Sequence, residues 1–252
     1  MNLLETKALG HSFGDFRVLS HVSLQIRNGE RHAIIGPNGA GKTTLFNLMT
    51  GRYKPSEGQV FFKGRNVTKA KPYEMFRLGV GRSFQITSTF QKLTVFENVR
   101  MAVMSQKGYR YNLFRNAAKL HTIVEKTDAI IRQIDLEAQR DVPASMLSYG
   151  QHRCLEVGLA IAHGPELIML DEPSAGMSRD ETHALVELIR RLTEDKTMVI
   201  VEHDMDVVFS LSDRITVLHH GTILATDTPD RIKDSQAVKD AYLGNARTPD
   251  AA

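Results

Sequence analysis

One eight-residue motif limits the fold of this chain more than any other feature. Residues 36–43 read Gly-Pro-Asn-Gly-Ala-Gly-Lys-Thr and match the pattern G-x-x-x-x-G-K-[ST] at every fixed position. The apolar run Arg31–Ile35 predicts a buried strand before the motif, and Lys42–Met49 predicts a helix after it. A strand, a glycine-rich turn and a helix in this order form a phosphate-binding loop. We therefore expect an α/β fold with a mainly parallel sheet.

The composition of the motif explains how it can hold a nucleotide. Glycines let the backbone approach closely and present successive N–H groups to phosphate oxygens. The positive end of the helix that starts here faces the same anion. Lys42 can reach the β- and γ-phosphates, and the Thr43 hydroxyl can ligate Mg²⁺. The predicted nucleotide-binding residues are Gly36, Pro37, Asn38, Gly39, Ala40, Gly41, Lys42, Thr43 and Thr44.

A second predicted strand ends in two acids. Residues 167–173 read Leu-Ile-Met-Leu-Asp-Glu-Pro, and Pro173 cannot continue the strand ladder. A carboxylate at a strand end beside the phosphate loop can hold Mg²⁺ directly or through water, and we assign this role to Asp171. Glu172 follows directly, where it can polarise an attacking water as the general base. The two motifs together predict nucleotide hydrolysis.

Composition is typical of a globular protein in a reducing compartment. The chain has 252 residues, of which 42% are hydrophobic and 24% charged, and these values exclude a disordered chain. A single cysteine, Cys154, excludes an internal disulfide framework and a four-cysteine metal site. No apolar run reaches the roughly 18 residues of a membrane span. Residues 1–7 lack the pattern of a signal peptide, so we expect a cytoplasmic location.

The stretch Leu147–Gln151 distinguishes among phosphate-loop proteins. It reads Leu-Ser-Tyr-Gly-Gln and resembles the signature of ATP-binding cassette (ABC) ATPases, which is usually Leu-Ser-Gly-Gly-Gln. Ser148 is a favourable N-cap residue for the predicted helix, and Gly150 permits close approach. Tyr149 departs from the usual glycine. The resemblance implies that Ser148, Gly150 and Gln151 of one chain meet ATP bound by another chain in a head-to-tail dimer.

Three further positions follow the order of motifs in the family. Gln85 resembles the Q-loop glutamine, which senses Mg²⁺ or water and links the core to a helical insert. His203 resembles the switch histidine, whose imidazole can bond the γ-phosphate and orient the water and Glu172. Phe13 lies 23 residues before the phosphate loop, where the family stacks an aromatic ring on adenine. Phe16 is the alternative for that position.

The loop after the paired acids departs from the family pattern. Ser174–Met177 occupies the position of the D-loop, and many family members carry an aspartate where Met177 stands. Coupling between the two chains of a dimer through that carboxylate is therefore absent or replaced in this protein.

The resemblance covers nearly the whole chain and implies one ABC ATPase domain over residues 1–252. We expect a RecA-like core with an N-terminal antiparallel β subdomain over about residues 1–88 and 148–252. An inserted α-helical subdomain is expected over about residues 89–147. The local patterns agree, because predicted strands alternate with helices except over a helical stretch at roughly residues 93–140.

Finer features resemble the ATPases of branched-chain amino acid importers. They are the tyrosine-containing signature, Gly81–Gln85 followed by Leu93–Val99, and the sequence Asp171–Met177. The resemblance implies ATP and Mg²⁺ as cofactors. It also implies ATP hydrolysis that drives uptake of branched-chain amino acids or related small solutes such as urea or amides. A lipopolysaccharide-export branch of the family is also close, so an export ATPase is an alternative.

The same resemblance implies partners and a location. The partners are transmembrane permease subunits, a second ATP-binding subunit that is identical or a paralogue, and a periplasmic solute-binding protein of the same system. The chain is then expected at the cytoplasmic face of the inner membrane, as a peripheral subunit.

Charge is distributed unevenly along the chain. Residues 60–126 contain 13 Lys or Arg and 3 Asp or Glu, a net charge of +10, whereas the whole chain carries +3. The basic stretch is either a solvated face or a surface for anionic lipid headgroups or acidic loops of a membrane partner.

Aromatic residues within the basic stretch raise a second hypothesis. Tyr109, Tyr111 and Phe114 lie among arginines, a pattern that also occurs in proteins that bind single-stranded nucleic acid. An ABC ATPase of DNA maintenance or translation is therefore an alternative. Only 129 residues separate Lys42 from Asp171, too few for the long coiled coils of DNA-maintenance members. Translation-type members usually carry two cassettes in one chain, whereas this chain has one. We expect no direct contact with nucleic acid. A metabolic phosphate-loop kinase would leave the signature unexplained.

Overall fold

The computed structural model describes residues 1–83, 89–106 and 117–243. The chain divides into two units, the first formed by Met1–Leu78 and the residues from Asp195 on, the second by Gly79–Glu194. In the described residues, none of the helices has the length and apolar character needed to cross a membrane.

The elements alternate along much of the chain. The described strands are β1 (Asn2–Phe13), β2 (Phe16–Arg27), β3 (Arg31–Ile35), β4 (Glu57–Phe62), β5 (Arg65–Asn66), β6 (Val80–Arg82), β7 (Leu167–Asp171), β8 (Thr197–Val201), β9 (Arg214–His219) and β10 (Thr222–Asp227). The described α-helices are α1 (Lys42–Met49), α2 (Pro72–Leu78), α3 (Val95–Gln106), α4 (Ala117–Gln133), α5 (Tyr149–Ile161), α6 (Arg179–Leu192), α7 (Met205–Leu211), α8 (Pro229–Asp234) and α9 (Gln236–Leu243).

An antiparallel sheet occupies the N-terminal part of the first unit. Its strand order is β2-β1-β4-β5, and β1 and β2 form a hairpin in which Phe13 is paired with Phe16. Alternate residues of β2, including Val22, Leu24 and Ile26, are buried, as the period of two in the sequence predicts. The expected antiparallel β subdomain is therefore present.

Parallel strands position the phosphate loop in the same unit. The order is β10-β9-β3-β8, with β3 parallel to both of its neighbours and β10 antiparallel to β9. The apolar residues of β3 and β8 are fully buried, which is typical of strands covered on both faces. In the register, Ile34 is paired with Val201 and Ile35 with Val217. The loops that follow β3 and β8 therefore leave the sheet at the same edge.

A buried polar network joins β3 to β9 and β10. The His32 ring, which has no exposed surface, lies with Nδ1 2.6 Å from Glu30 Oε1 and Nε2 2.7 Å from Thr216 Oγ1. Thr216 Oγ1 is in turn 2.8 Å from the Thr226 hydroxyl. Because each polar side chain in this network has a partner, the network stabilises β3, the strand that precedes the phosphate loop.

The second unit contains the remaining strand pair and a set of helices. Strand β6 is parallel to β7, and α3 packs against α4 and α5. The helical prediction to about residue 140 extends too far, because α4 ends at Gln133 and Asp135 adopts a left-handed backbone with φ 57°. The helices α3 and α4 lie within residues 89–147, and the bounds of the expected helical subdomain stay a prediction.

Candidate active site

The phosphate loop begins where β3 ends and closes where α1 begins. A Cβ at Gly36 would lie 2.2 Å from the carbonyl oxygen of Leu218, so no other residue fits there without moving the backbone. Gly41 is the N-cap residue of α1 with φ 99°, and no side chain caps this helix. The first turn of α1 therefore keeps its backbone N–H groups for a ligand in the loop.

Lys42 is buried against its own loop. Its Nζ donates hydrogen bonds to the carbonyl oxygens of Gly36, at 2.7 Å, and Pro37, at 3.1 Å. Only 7% of the residue is exposed. Thr43 and Thr44, in the first turn of α1, are half-buried. The start of α1 therefore brings together the Lys42 ammonium group, the uncapped backbone amides of the first turn and the hydroxyls of Thr43 and Thr44.

Tyr242, in α9, has a buried hydroxyl close to Gly36 at the start of this loop. Burial raises the pKa of the Tyr242 hydroxyl to about 12, and the neighbouring Gly36 amide lowers it by a smaller amount. The close approach of Gly36 to the Leu218 carbonyl places β9 against the loop. No motif in the sequence marks Tyr242 or Leu218, since only the fold brings them near Gly36.

The sheet register brings His203 to the same edge as the phosphate loop. His203 follows β8, its side chain is 60% exposed, and its backbone N–H donates to Glu202 Oε2 at 3.1 Å. The Glu202 side chain is fully buried. Asp204 caps α7 through hydrogen bonds from the amides of Asp206 and Val207. This loop therefore fixes the His203 backbone and leaves its imidazole exposed.

The aromatic positions of β1 form a small cluster. The Phe13 ring is 5.6 Å from the Tyr53 ring and 4.6 Å from the His11 ring, both edge-on. Phe13 is 49% exposed and Phe16 is 73% exposed. Both phenylalanine rings are exposed enough to receive a planar ligand, so the choice between Phe13 and Phe16 stays open. Tyr53 and His11 are cluster members that the sequence did not point to.

The paired acids lie at the end of β7 in the second unit. Asp171 is 3% exposed, and its backbone N–H donates to the Ser83 hydroxyl at 3.3 Å. Glu172 has a left-handed backbone with φ 47°, which is unfavourable for a non-glycine residue. Its carbonyl accepts a hydrogen bond from the Ala175 N–H at 3.2 Å, which closes a turn. Gln85 lies outside the described residues.

The signature motif starts α5, as predicted. Ser148 is the N-cap residue, and its hydroxyl oxygen accepts a hydrogen bond from the Gln151 N–H at 3.3 Å. Gln151 Oε1 accepts one from the Ser148 N–H at 3.0 Å, which completes a capping box. Gly150 is buried, and a Cβ there would be 3.0 Å from Glu181 Oε1. Ser148 remains exposed, and its hydroxyl proton is available to a ligand.

Part of the basic stretch surrounds a cavity of about 900 Å³ in the first unit. Its lining includes the exposed side chains of Arg65, Lys69 and Arg77 and one acid, Glu74. Tyr109, Tyr111 and Phe114, the aromatic residues of the nucleic-acid alternative, lie outside the described residues.

Comparison with known proteins decides the family. The model of the ABC transporter family matches residues 19–175, more than half of the chain. This chain belongs to the ABC transporter family. The cassette is 39% identical over 251 residues to the high-affinity branched-chain amino acid transport ATP-binding protein LivG of Salmonella typhimurium, covering 97% of this chain and 98% of the relative.

Further relatives agree over similar lengths. LivG of Escherichia coli is 36% identical over 253 residues, covering 97% of the cassette and 98% of the relative. A probable LivG of Archaeoglobus fulgidus is 35% identical, with coverage of 97% and 96%. A solved nucleotide-free ATP-binding cassette of an ABC transporter matches with a TM-score of 0.84 and 29% identity, covering 96% of the cassette and 99% of that chain.

Another solved cassette, in its ADP conformation, matches with a TM-score of 0.83 and 29% identity, covering 97% of this chain and 99% of that one. The predicted ABC ATPase fold is therefore confirmed. Family membership makes this protein an ATP-binding and ATP-hydrolysing subunit of a membrane transporter.

Proposed function

We propose that this cassette drives the uptake of branched-chain amino acids, or of related small polar solutes such as urea or amides. The observation that carries the proposal is the identity of 35–39% over 97% of the chain with proteins named for branched-chain amino acid transport. No residue of a nucleotide-binding subunit needs to touch the solute. Likeness over the whole chain, rather than a solute pocket, therefore supports this assignment.

The first step is phosphate binding by the loop Gly36–Thr44. Lys42 Nζ already lies over the loop, held by two backbone carbonyls at 2.7 and 3.1 Å. Phosphate oxygens replace those carbonyls as better partners, because hydrogen bonds between charged groups are stronger. The uncapped amides of α1 add neutral donors directed at the same anion. Phe13, or Phe16 in its place, stacks on the adenine.

The oxygen ligands of this chain suit Mg²⁺. Thr43 offers a hydroxyl and Asp171 a buried carboxylate, which are hard ligands of the kind this ion prefers. In the described residues no group of three or more His, Cys, Asp or Glu could hold a metal by itself. Bound Mg²⁺ neutralises charge on the phosphates. Gln85 completes the predicted set.

Glu172 and His203 act on the water that attacks the γ-phosphate. Glu172 takes the proton from this water as general base. The exposed imidazole of His203 bonds the γ-phosphate and orients the water, while its backbone is fixed on the buried Glu202. In the absence of either group the attacking water loses activation or alignment.

A second ATP-binding subunit completes the site. Ser148, Gly150 and Gln151 of one subunit face the ATP held by the other. The Ser148 oxygen uses a lone pair to cap α5 and keeps its proton to donate to the γ-phosphate. ATP then holds the closed dimer together, and hydrolysis releases it.

The partners are permease subunits, a second cassette and a periplasmic solute-binding protein of the same system. The cassette works at the cytoplasmic face of the inner membrane as a peripheral subunit. Its basic stretch over residues 60–126 supports a position near anionic headgroups or acidic permease loops.

Uptake in a strain that lacks this gene tests the proposal. We expect uptake of labelled leucine, isoleucine and valine to fall, and to be restored by the wild-type gene or by Glu194→Gln but not by Glu172→Gln. Glu194 is an exposed acid of the same unit and serves as the matched control. Normal uptake of all three amino acids and of urea would contradict the import assignment.

Co-purification in detergent separates the other candidates. Association with polytopic permeases supports a transporter subunit. Salt-sensitive retention of nucleic acid without any permease would instead indicate nucleic-acid maintenance. Association with lipopolysaccharide-export permeases would replace the import assignment by export.

A further inference from the structure

The tyrosine that departs from the family signature contacts the loop that also departs from the family. Tyr149 Oη donates a hydrogen bond to the carbonyl oxygen of Ala175 at 2.6 Å. Arg153, one turn later on α5, donates to Tyr149 Oη at 2.7 Å and lies 3.5 Å from the same carbonyl. The phenol thus donates its proton to Ala175 and accepts a hydrogen bond from Arg153, and the three polar groups lie in a compact triangle.

Arg153 is itself fixed in place. Its Nη1 donates to Glu156 Oε2 at 2.7 Å, and the side chain of Glu156 is only 5% exposed. A guanidinium held at one end by a buried carboxylate has lost most of its freedom, so its other end is a pre-ordered donor for Tyr149.

The contacted carbonyl belongs to the turn that carries Glu172. The Ala175 N–H donates to the Glu172 carbonyl at 3.2 Å, and the Met177 N–H donates to the Ser174 carbonyl at 3.1 Å. The left-handed backbone of Glu172, at φ 47°, persists only if its surroundings hold it. A bond from α5 to Ala175 supplies such a hold.

The geometry around Gly176 shows a matched fit. Gly176 has φ 79°, and a Cβ there would lie 3.1 Å from Tyr149 Oη. Tyr149 is 48% exposed, so its ring is only half buried. The hydroxyl needs the space that glycine leaves beside the Ala175 carbonyl.

We propose that Tyr149 and Arg153 are positioning residues that hold the turn Glu172–Met177 and so align the Glu172 carboxylate. This brace acts within one chain, on the loop that follows the paired acids. The inference rests on the proposed role of Glu172 as general base. In this proposal Tyr149 and Arg153 contact neither the nucleotide nor the attacking water.

Tyr149→Phe tests the brace, because it removes only the hydroxyl. We expect the backbone amides of Ala175 and Met177 to exchange with solvent roughly three- to tenfold faster, the loss expected for one hydrogen bond. We expect the kcat of ATP hydrolysis to fall by a similar factor while the KM for ATP stays unchanged. Tyr73→Phe is the matched control, since Tyr73 is an exposed tyrosine whose hydroxyl forms no hydrogen bond among the described residues.

Unchanged exchange at Ala175 in Tyr149→Phe would overturn the brace. A raised KM with unchanged kcat would also overturn it, because that pattern indicates lost nucleotide binding. The proposed function is tested separately. Full ATPase activity in Glu172→Gln would refute the role of Glu172 as general base, whereas the exchange result for Tyr149→Phe would stand.

Arg153→Lys provides a second variant. Lysine keeps a charge for Glu156 but loses the fork that reaches Tyr149. Because both residues act through one carbonyl, the double variant should lose no more kcat than about the larger single loss. Losses that multiply fully would show independent roles and contradict the brace.

Discussion

Helices α1 and α5 both start at motifs assigned to ATP, yet their N-termini differ. α1 begins after Gly41, in a left-handed conformation, and no side chain caps it. α5 begins after Ser148, which forms a reciprocal capping box with Gln151. The amides of α1 lack a side-chain partner until a phosphate arrives, whereas the first turn of α5 is already satisfied within the chain.

The difference indicates how each helix takes part in binding. A phosphate in the loop acts as the cap that α1 lacks, so this region should bind nucleotide as a single subunit. A phosphate would add no missing cap to α5, because Ser148 and Gln151 already cap this helix. α5 offers a pre-ordered serine hydroxyl, which suits a contact that forms only when two subunits close. The following predictions test this division.

Glu172→Gln, a change in one of the paired acids after β7, should have the largest effect on ATP hydrolysis. Loss of a general base lowers kcat by roughly 10²- to 10⁴-fold, while ATP binding to the loop persists. Steady-state ATPase and equilibrium nucleotide binding measure the two properties, with Glu194→Gln as control. Undiminished turnover would refute the role of Glu172.

Lys42→Ala should weaken the single-subunit site. Removing a held ammonium group leaves the phosphates without their charged donor, so ATP affinity should fall by roughly 10- to 100-fold. Calorimetry on the isolated subunit provides the measurement. Lys54→Ala, at an exposed lysine of the same unit, is the control. Equal affinities for wild type and Lys42→Ala would show that the loop binds phosphate without this side chain.

Ser148→Arg should affect only closure of the dimer. The larger side chain blocks the contact at the start of α5, so ATP-dependent dimerisation should weaken by at least about tenfold, or 1.4 kcal/mol. Binding of ATP to the single subunit should not change. Sedimentation in the presence of ATP with the Glu172→Gln background reports the dimer. Normal dimerisation would mean that the signature does not meet ATP across subunits.

A matched pair of caps separates stability from this contact. Ser178 caps α6 in the same kind of capping box as Ser148. Ser148→Ala and Ser178→Ala should each lower the free energy of unfolding by about 1 kcal/mol. Only Ser148→Ala should also weaken the ATP-dependent dimer. Equal loss of dimerisation in both would attribute it to fraying of helices.

Glu30→Gln should give the smallest change, at the strand that carries the phosphate loop. Burial alone would raise the pKa of Glu30, but the hydrogen bond and charge of His32, with Arg214, outweigh it and hold the pKa below the ordinary 4.5. Since the folded-state pKa is depressed, the stabilisation is present above pH 4.5 and is lost as the pH falls through the lower folded-state value.

We expect Glu30→Gln to lower the free energy of unfolding by about 1 kcal/mol at pH 7, because a charge-assisted bond becomes a neutral one. The difference from wild type should shrink in acid. Urea unfolding at pH 7 and below pH 4.5 measures it. A constant difference at all pH values would show that the ionised form of Glu30 is not what stabilises β3.

Much of the core could be predicted from the sequence. The strand Arg31–Ile35 and the helix Lys42–Met49 have the predicted bounds, and Leu167–Leu170 lies within β7. These segments are strongly apolar or periodic and end at glycine or proline, so local signals and burial agree. The family order of motifs then identified the candidate residues.

Short or exposed elements could not be predicted. Strand β6 spans only Val80–Arg82, and β10 has no fully buried residue. Neither has enough apolar residues for a visible period. The end of α4 at Gln133 was missed because residues 134–140 remain rich in helix formers. The left-handed Asp135 instead pairs with Arg191, a contact that local sequence does not show.

The sequence by itself determined the chemistry of this protein: a phosphate loop, paired acids and a signature whose residue types and spacing suit ATP hydrolysis. Only the tertiary structure decided which backbone groups those side chains meet. Tyr149 reaches the Ala175 carbonyl across 26 residues of chain, and Gly36 meets Leu218 from another strand. Such contacts depend on the path of the chain between them, and a motif records only local spacing.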